Sequence, residues 1–379
     1  MHHIQDTYDQ MVFEEWEFES YYRCPGAALT PFSDLFAPQG QGQPECAVIV
    51  DSGFSFTHVT PVVQSSSEPI SPASIQWPSV RRLDVGGKLL TNHLKELVSF
   101  RHWDMTESTH IINQVKERCC FVSRNFAKDL ELCRSDLKSN PIAQSYVLPS
   151  FASEPPRPGY VRSPSSPPLE ESDTVLPMNN ERFVIPEVLF QPSDVGLAQV
   201  GLVETIANSI ESLPEEMRGV AWGNIGLVGG NSLLEGFRER LFDGLRALAP
   251  SDYEVCLYRA KNPITFTYYT AHNFANSAAF PSLCVTRSEY LERGLTACRR
   301  KFANLNWYPT GDSDVTTDKR DAGAGRKDRK SGLLGREPGR RKSKSEAMAA
   351  TGEEGTARET PGEPSAAQRR SRKSAAALI

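Results

Sequence analysis

The stretch NIGLVGGNSLLEGFRERLFDGLRALAP, from Asn224 to Pro250, decides how the chain is read. Ile225, Leu227 and Val228 make a short apolar run that stops at Gly229 and Gly230, and helical spacing begins within a few residues of them. Leu234, Phe237, Leu241, Leu245 and Leu248 recur at three- and four-residue steps, while Glu235, Arg238, Glu239, Arg240 and Asp243 take the other side. The pattern predicts a buried strand, a glycine turn and an amphipathic helix. Two adjacent glycines permit positive φ and bring bare main chain up to a flat ligand, and the helix start beyond them favours anions. A nucleotide is held in this way, but a tight turn needs glycine too, so the pair alone leaves both readings open.

Outward from that unit the chain alternates between ordered and low-complexity stretches. Residues 8–23 read as a helix end followed by a strand of Phe18, Tyr21 and Tyr22, and Pro25–Gly26 open a short helix burying Leu29, Phe32, Leu35 and Phe36. Cys46–Asp51 and Phe56–Val63 form a hairpin with Asp51, Ser52 and Gly53 at its turn. His58, inside it, reads as a packed strand residue rather than a base. Serine and proline dominate from Gln64 to Pro78, an inserted loop. Gly86 and Gly87 start the next helix, whose Leu90, Leu94 and Leu97 form one stripe, and further helices follow at Ser108–Cys119 and from Asn125 to about Leu137. From Pro149 to Pro177 there are eight prolines in 29 residues and few large apolar side chains, which predicts disorder, because such a segment cannot offset its ordering entropy. Order resumes with a strand at Arg182, a helix of Leu202, Ile206, Ile210 and Leu213, and a helix opened by Pro214. After the glycine unit come a strand at Tyr253–Tyr258, a helix near Asn273–Phe280, and Leu283–Thr286 leading into Glu289–Gly294.

Charge is placed unevenly. Residues 310–379 hold 16 Lys and Arg against 11 Asp and Glu, a net of +5, so the remainder carries −10. That tail lacks any Phe, Trp or Tyr and contains GRRKSKS (Gly339–Ser345) and QRRSRKS (Gln368–Ser374). It reads either as an ordinary solvated tail or as a nuclear import signal or nucleic-acid contact. The eight cysteines show no C-x-x-C spacing and lie mostly in apolar runs, which predicts reduced core thiols rather than a disulfide frame or zinc site. No apolar run approaches the ~20 residues of a membrane span, and the acidic start lacks the order of a signal peptide. A soluble cytosolic or nuclear protein is expected.

Several motifs then fall in one order: FEEWEFESYYR (Phe13–Arg23), VIVDSGFSFTHVTPVV (Val48–Val63), RRLDVGGKLLTNHLKEL, Val115–Arg118, FQPSDVGLAQVGLVETIANSI, LVGGNSLLEGFRERL and VTRSEYLERG. Together they resemble the actin family over nearly everything from Phe13 to about Phe302. FEEWEFESYYR with DSGFSFTH points more narrowly to a nuclear branch found in chromatin-remodelling assemblies. The resemblance implies an α/β, actin-like (ribonuclease H-like, two-lobed ATPase) fold with disordered insertions and tail. By it, residues 1–63 are the hinge-proximal part of lobe one with the second phosphate hairpin, and 64–80 the Ser/Pro insertion. Residues 81–148 and 182–193 are the outer subdomain of lobe two, 149–181 the Pro-rich insertion, 194–266 the inner subdomain, 267–309 the return to lobe one, and 310–379 the tail. It also implies an N-terminal truncation, since the family's first phosphate hairpin lies roughly a hundred residues before the FEEW-like stretch.

The family's ATPase grips phosphates between two hairpins, holds a magnesium water shell with a carboxylate and orients the attacking water with a polar group. Where its pattern reads Asp-Ser-Gly-Asp-Gly, this chain has Asp51-Ser52-Gly53-Phe54-Ser55, and phenylalanine cannot hold a metal-bound water. The water-orienting glutamine aligns with Gly26, and TYYTAHNFA (Thr267–Ala275) stands where the family has a tryptophan and a glycine pair. On the adenosine side Lys116 and Glu117 match the ribose and base contacts, unless they are a solvated helix face, and Gly229, Gly230 and Asn231 supply the turn. The implied nucleotide site, Asp51, Ser52, Gly53, Lys116, Glu117, Gly229, Gly230 and Asn231, is vestigial. ATP or ADP is expected to bind weakly or not at all, with no catalytic residue and no metal ligand. The implied role is a non-catalytic scaffold in a SWR-type remodelling complex that exchanges a histone variant, in the nucleus and also the cytoplasm. Its partners would be other subunits, histones indirectly, and DNA through the basic tail, with no membrane. The alternatives are a weak nucleotide-binding ATPase of the same fold and a cytoskeletal actin relative.

Overall fold

The computed structural model describes residues 2–37, 43–64, 70–134, 140–151, 155–303 and 377–378. They belong to one unit, Met1–Tyr308 with Ala375–Ile379, while Pro309–Ser374, a second unit, lies outside the described residues. In chain order the elements are α1 (His2–Gln10), β1 (Ser20–Tyr22), β2 (Cys46–Ser52), β3 (Thr57–Val63), β4 (Ser74–Ile75), β5 (Arg81–Leu83), α2 (Gly87–Arg101), α3 (Thr109–Cys119) and α4 (Phe126–Leu132). Then come β6 (Gln144–Val147), β7 (Tyr160–Val161), β8 (Val175–Met178), α5 (Glu181–Glu187), α6 (Leu202–Glu211), α7 (Glu215–Trp222), β9 (Ile225–Val228) and α8 (Phe237–Leu248). The remainder is β10 (Leu257–Arg259), α9 (Phe266–Ala275), α10 (Phe280–Leu283), β11 (Val285–Thr286), α11 (Arg287–Arg293), α12 (Leu295–Lys301) and β12 (Ala377–Leu378).

The central sheet runs β10-β9-β2-β3-β4, with β5 also on β3. Strands β2 and β9 are parallel, with Val48 opposite Ile225 and Asp51 opposite Val228, and β10 continues the parallel set beside β9. Their unbroken apolar runs suit strands covered on both faces: Val48, Val50, Ile225 and Leu227 join one core cluster, while Ile49 and Val228 join another with Phe36 and Phe266. The carboxyl ends of β2, β9 and β10 therefore open on one crevice, where sheets of this kind take ligands. A separate aromatic cluster of Phe13, Tyr21, Tyr22, Phe274 and Phe302 packs around β1 and α9–α12.

Differences from expectation have local causes. The helix after the glycine turn starts at Phe237, and Leu248 is exposed at its end, so the buried stripe is Phe237, Leu241 and Leu245. The strand expected at Arg182 is α5. Its Phe183 and Ile185 are buried, and Arg182 donates to the carbonyl of Cys119, so tertiary contacts override the β preference of a Phe-Val-Ile run. Helix α9 begins at Phe266 rather than near Asn273, and the strand expected from Tyr253 is confined to Leu257–Arg259.

Disorder over 149–181 does not hold for its described residues, 149–151 and 155–181. β7 and β8 flank β6 as a three-stranded antiparallel sheet, Ser150 pairs with Arg157 through two main-chain hydrogen bonds, and Arg157 bridges Glu170 and Asp173. The apolar burial missing from the segment's own composition is supplied by a neighbour: β8 pairs with β6, and its Leu176 and Met178 are buried in the main core cluster. Part of the 64–80 insertion is likewise ordered, because β4 adds to β3 with Ile75 opposite Val62. The tail expectation lies outside the described residues, apart from Ala377–Leu378, which pair with β1. All eight cysteines are free of disulfides. Among the described residues no helix is long and apolar enough to cross a membrane.

Candidate nucleotide cleft

The crevice holds a cavity of about 430 Å³, walled by the β2–β3 turn, the start of α2, Lys116 and Glu117 of α3, the glycine turn and Pro263–Ile264. Seven of the eight expected residues line it; Ser52 is buried just beneath. Gly229 has φ +85°, and a Cβ there would sit 2.3 Å from the carbonyl oxygen of Ser52. Only glycine lets the two strand ends approach so closely. At Gly230 the nearest atom to an added Cβ is 3.8 Å away on Ile264, so this second glycine faces the open cavity. Gly229 N–H donates to Pro263 O at 3.0 Å, which fixes the far wall against the turn.

The phosphate side is arranged differently. Asn231 spends its side-chain amide on Ser52 Oγ at 3.1 Å and Gly53 O at 2.9 Å. The first two N–H groups of α2 are used in the same way, Gly87 donating to Gly53 O at 3.0 Å and Lys88 to Phe54 O at 2.7 Å. Lys116 is only 4% exposed, and its ammonium donates to Gly87 O at 3.1 Å and to Thr91 Oγ1 and Asn113 Oδ1 at 3.0 Å each. That exhausts its three hydrogens. Burial pushes its pKa down, with Glu117 opposing. The reading of Lys116–Glu117 as a solvated face is thus half right: Glu117 is exposed and accepts from Asn113 Nδ2 at 2.7 Å, whereas Lys116 is internal.

Phe54 lines the cavity and is 57% exposed. Asp51 stands on the wall opposite His58 in the β2–β3 register; burial raises its carboxyl pKa and the imidazole lowers it again. Burial lowers the pKa of His58, and Asp51 works against that. A second cavity of about 230 Å³, which shares Asp51 and Thr267 with the first, is lined by Gly26 and His58. A Cβ on Gly26 would lie 2.8 Å from Thr267 Cγ2, so Thr267 fills the space a side chain at 26 would enter. Among the described residues no group of three or more His, Cys, Asp or Glu could hold a metal ion.

A flat ring fits the glycine side, where main chain is bare and Leu233, Leu234, Pro263 and Ile264 give apolar walls. On the other side the side-chain donors of Lys116 and Asn231 are spent on protein oxygens, and Asp51, Phe54, Glu117 and Thr267 line the cavity. Sequence reasoning missed Thr91 and Asn113, which hold Lys116, and the Pro263–Thr267 wall. The Asn262-Pro263 dipeptide was the available signal, since it marks a turn at a parallel strand's carboxyl end.

A fold in which paired strand ends and a glycine turn face one another across such a cleft defines a nucleotide-clamp architecture. The family model for actin matches residues 1–303, and the chain belongs to the actin family. The narrower likeness is to members named actin-related protein 6. The chain is 46% identical over 320 residues to Actin-like protein ARP6 of Cryptococcus neoformans, covering 80% of this chain and 64% of that relative. It is 42% identical to Actin-like protein ARP6 of Yarrowia lipolytica, covering 79% and 72%, and 36% identical to Actin-related protein 6 of Drosophila melanogaster, covering 79% and 73%. It thus spans about two thirds to three quarters of the length of these relatives.

Proposed function

We propose that this chain is a non-catalytic scaffold of the actin fold, a subunit of a SWR-type chromatin-remodelling complex that supports histone-variant exchange driven by a separate ATPase motor. The observation that carries the non-catalytic part is the inward turn of the cleft's cations and amides. Lys116 and Asn231 hold protein oxygens, Phe54 stands where the family pattern has a carboxylate, and Thr267 fills the space beside Gly26. Phosphoryl transfer depends almost wholly on positioned charge, so a cleft so arranged has little with which to stabilise the transition state. The remodelling role rests on the likeness to relatives named actin-related protein 6 and on the acidic body with its basic tail. Nuclear residence, with a cytoplasmic pool, and a DNA contact through that tail belong to the same proposal.

The retained glycine side favours a second reading, weak binding of ADP or ATP without turnover. Purified protein incubated with magnesium and ATP is expected to release no inorganic phosphate above the buffer rate, and Phe54→Asp alone is not expected to start release, because the space beside Gly26 stays filled. Steady release by the unmodified chain, lost on Gly230→Glu, would overturn the proposal. Capture from nuclear extract tests the partner half: remodeller subunits and histones support it, and cytoskeletal proteins alone would sink it.

A further inference from the structure

The ordered part of the proline-rich segment carries a feature unrelated to the cleft. Between β7 and β8 the chain reads Arg162-Ser163-Pro164-Ser165-Ser166-Pro167-Pro168, a turn closed by Ser166 N–H donating to Ser163 O at 3.0 Å. Ser166 Oγ accepts from Ser163 N–H at 3.0 Å, and the hydroxyl of Ser163 lies 2.9 Å from that of Ser165 and 3.2 Å from that of Ser166. The turn is exposed except for Ser166, which is half-buried, and its neck is fixed: Arg162 N–H donates to Ser145 O at 2.8 Å, and Arg157 ties down Glu170 and Asp173. The side chain of Arg162 is exposed, with no ion-pair partner among the described residues.

We propose that this turn is a site of proline-directed phosphorylation, with Ser163 the principal acceptor and Ser166 the second. A kinase groove that reads serine followed by proline asks for a residue with no N–H after the acceptor, and for an acceptor that can adopt extended backbone. Ser163-Pro164 meets both demands on exposed residues, and Ser166-Pro167 meets them with Ser166 half-buried, which ranks it second. Among the other Ser/Thr-Pro pairs of the described residues, Thr30 is buried and Thr60 lies within β3, while Ser71 is half-buried like Ser166 but lacks the fixed turn around it. In the transfer, the serine oxygen bonds to the γ-phosphorus of the kinase's nucleoside triphosphate. The bond to the β–γ bridging oxygen breaks, ADP departs, and the hydroxyl proton passes to the kinase's base.

The phosphate brings a charge of about −1.5 to −2 next in sequence to Arg162, whose exposed guanidinium has no ion pair among the described residues. A charge-assisted hydrogen bond between the two replaces the weaker ones that three neutral hydroxyls had shared. Because Arg162 is anchored to β6 through its own N–H, pairing draws the turn toward β6 and stiffens it. The segment becomes a surface whose charge and rigidity are set by a kinase.

The test treats the full chain with a proline-directed serine/threonine kinase and ATP, maps phosphate by mass spectrometry, and follows amide exchange over 162–168. Phosphate on Ser163, with Ser166 less occupied, and slower exchange in the turn are expected. Arg162→Ala should keep the phosphate but lose the slowing. Pro164→Ala with Pro167→Ala should lose phosphate from the turn. Absence of phosphate from Ser163 and Ser166 while the kinase modifies a control peptide would overturn the proposal, as would equal modification after both prolines are removed. Because the substituted residues Arg162, Pro164 and Pro167 are exposed, loss of fold is not a rival explanation; an unchanged melting temperature of the unphosphorylated variants checks this.

Discussion

On one wall of the cleft Gly229 keeps φ +85° with its α-carbon pressed against Ser52; on the other, Phe54 and Ser55 stand at the tip of the hairpin where the family pattern has Asp and Gly. The two walls have kept different things. The glycine wall is constrained by backbone contact, because any side chain at 229 collides with the neighbouring strand. The hairpin wall is held by bonds to its carbonyls from Gly87 and Lys88 N–H and the Asn231 amide, and by Gly53 N–H to Phe56 O, none of which involves the side chain at 54. Architecture thus persists where the fold itself needs the residue, and chemistry is free to go where it does not.

The sharpest way to break that comparison lies within the glycine pair. Gly229→Ala is expected to cost about 3 kcal/mol or more, since positive φ and a backbone overlap act together. Gly230→Ala, in open space, should stay within about 1 kcal/mol of the parent. Urea unfolding of the two variants decides it. Equal costs would mean that the pair is kept for a ligand and not for the strand approach.

Next in size is the buried ammonium. Lys116→Met leaves Gly87 O, Thr91 and Asn113 without their shared donor, and should cost about 1–3 kcal/mol at neutral pH. Its folded pKa lies below the unfolded value of about 10.4. Between the two the unfolded chain holds the extra proton, so stability of the parent rises with pH in that window. The gap between parent and variant should therefore widen as the solution is made alkaline. A variant more stable than the parent at pH 7 would show that desolvation of the charge outweighs its three hydrogen bonds.

These cases also mark what the sequence could disclose. The runs of β2 and β9, the stripe of α6 and the glycine turn are local patterns, and they are found where periodicity puts them. Lys116 was visible as a cleft residue, but its confinement depends on Thr91 from a different helix. The filling of Gly26 by Thr267 joins residues 241 positions apart, and no spacing rule reaches that far. The proline-rich segment misled for a related reason: its composition lacks apolar side chains, but β6 and the core behind it cover the few it has, Leu176 and Met178.

The smallest expected effect concerns Asp51, at the junction of the two cavities. Its folded carboxyl pKa is raised, chiefly by burial, with the His58 imidazole as the opposing influence; Arg82 and Asp84 reach His58 from β5 and the turn after it. A group of this kind adds stability below its unfolded value of about 3.9 and loses that contribution as pH rises through the folded value. Near pH 3 parent and Asp51→Asn should unfold at similar denaturant concentrations, because both then carry a neutral side chain. At pH 7 the parent holds a charge the site disfavours, and neutral His58 offers it little, so the Asn variant should be modestly the more stable. The side chain of Asp51 is surrounded by the cavity walls, which desolvate it in part, but is itself open to the cleft, where water screens the charge, so the difference should be small. If the variant is instead weaker at pH 7, the carboxylate is being held by a favourable partner, and the phosphate wall retains more of its original electrostatics than Phe54 implies.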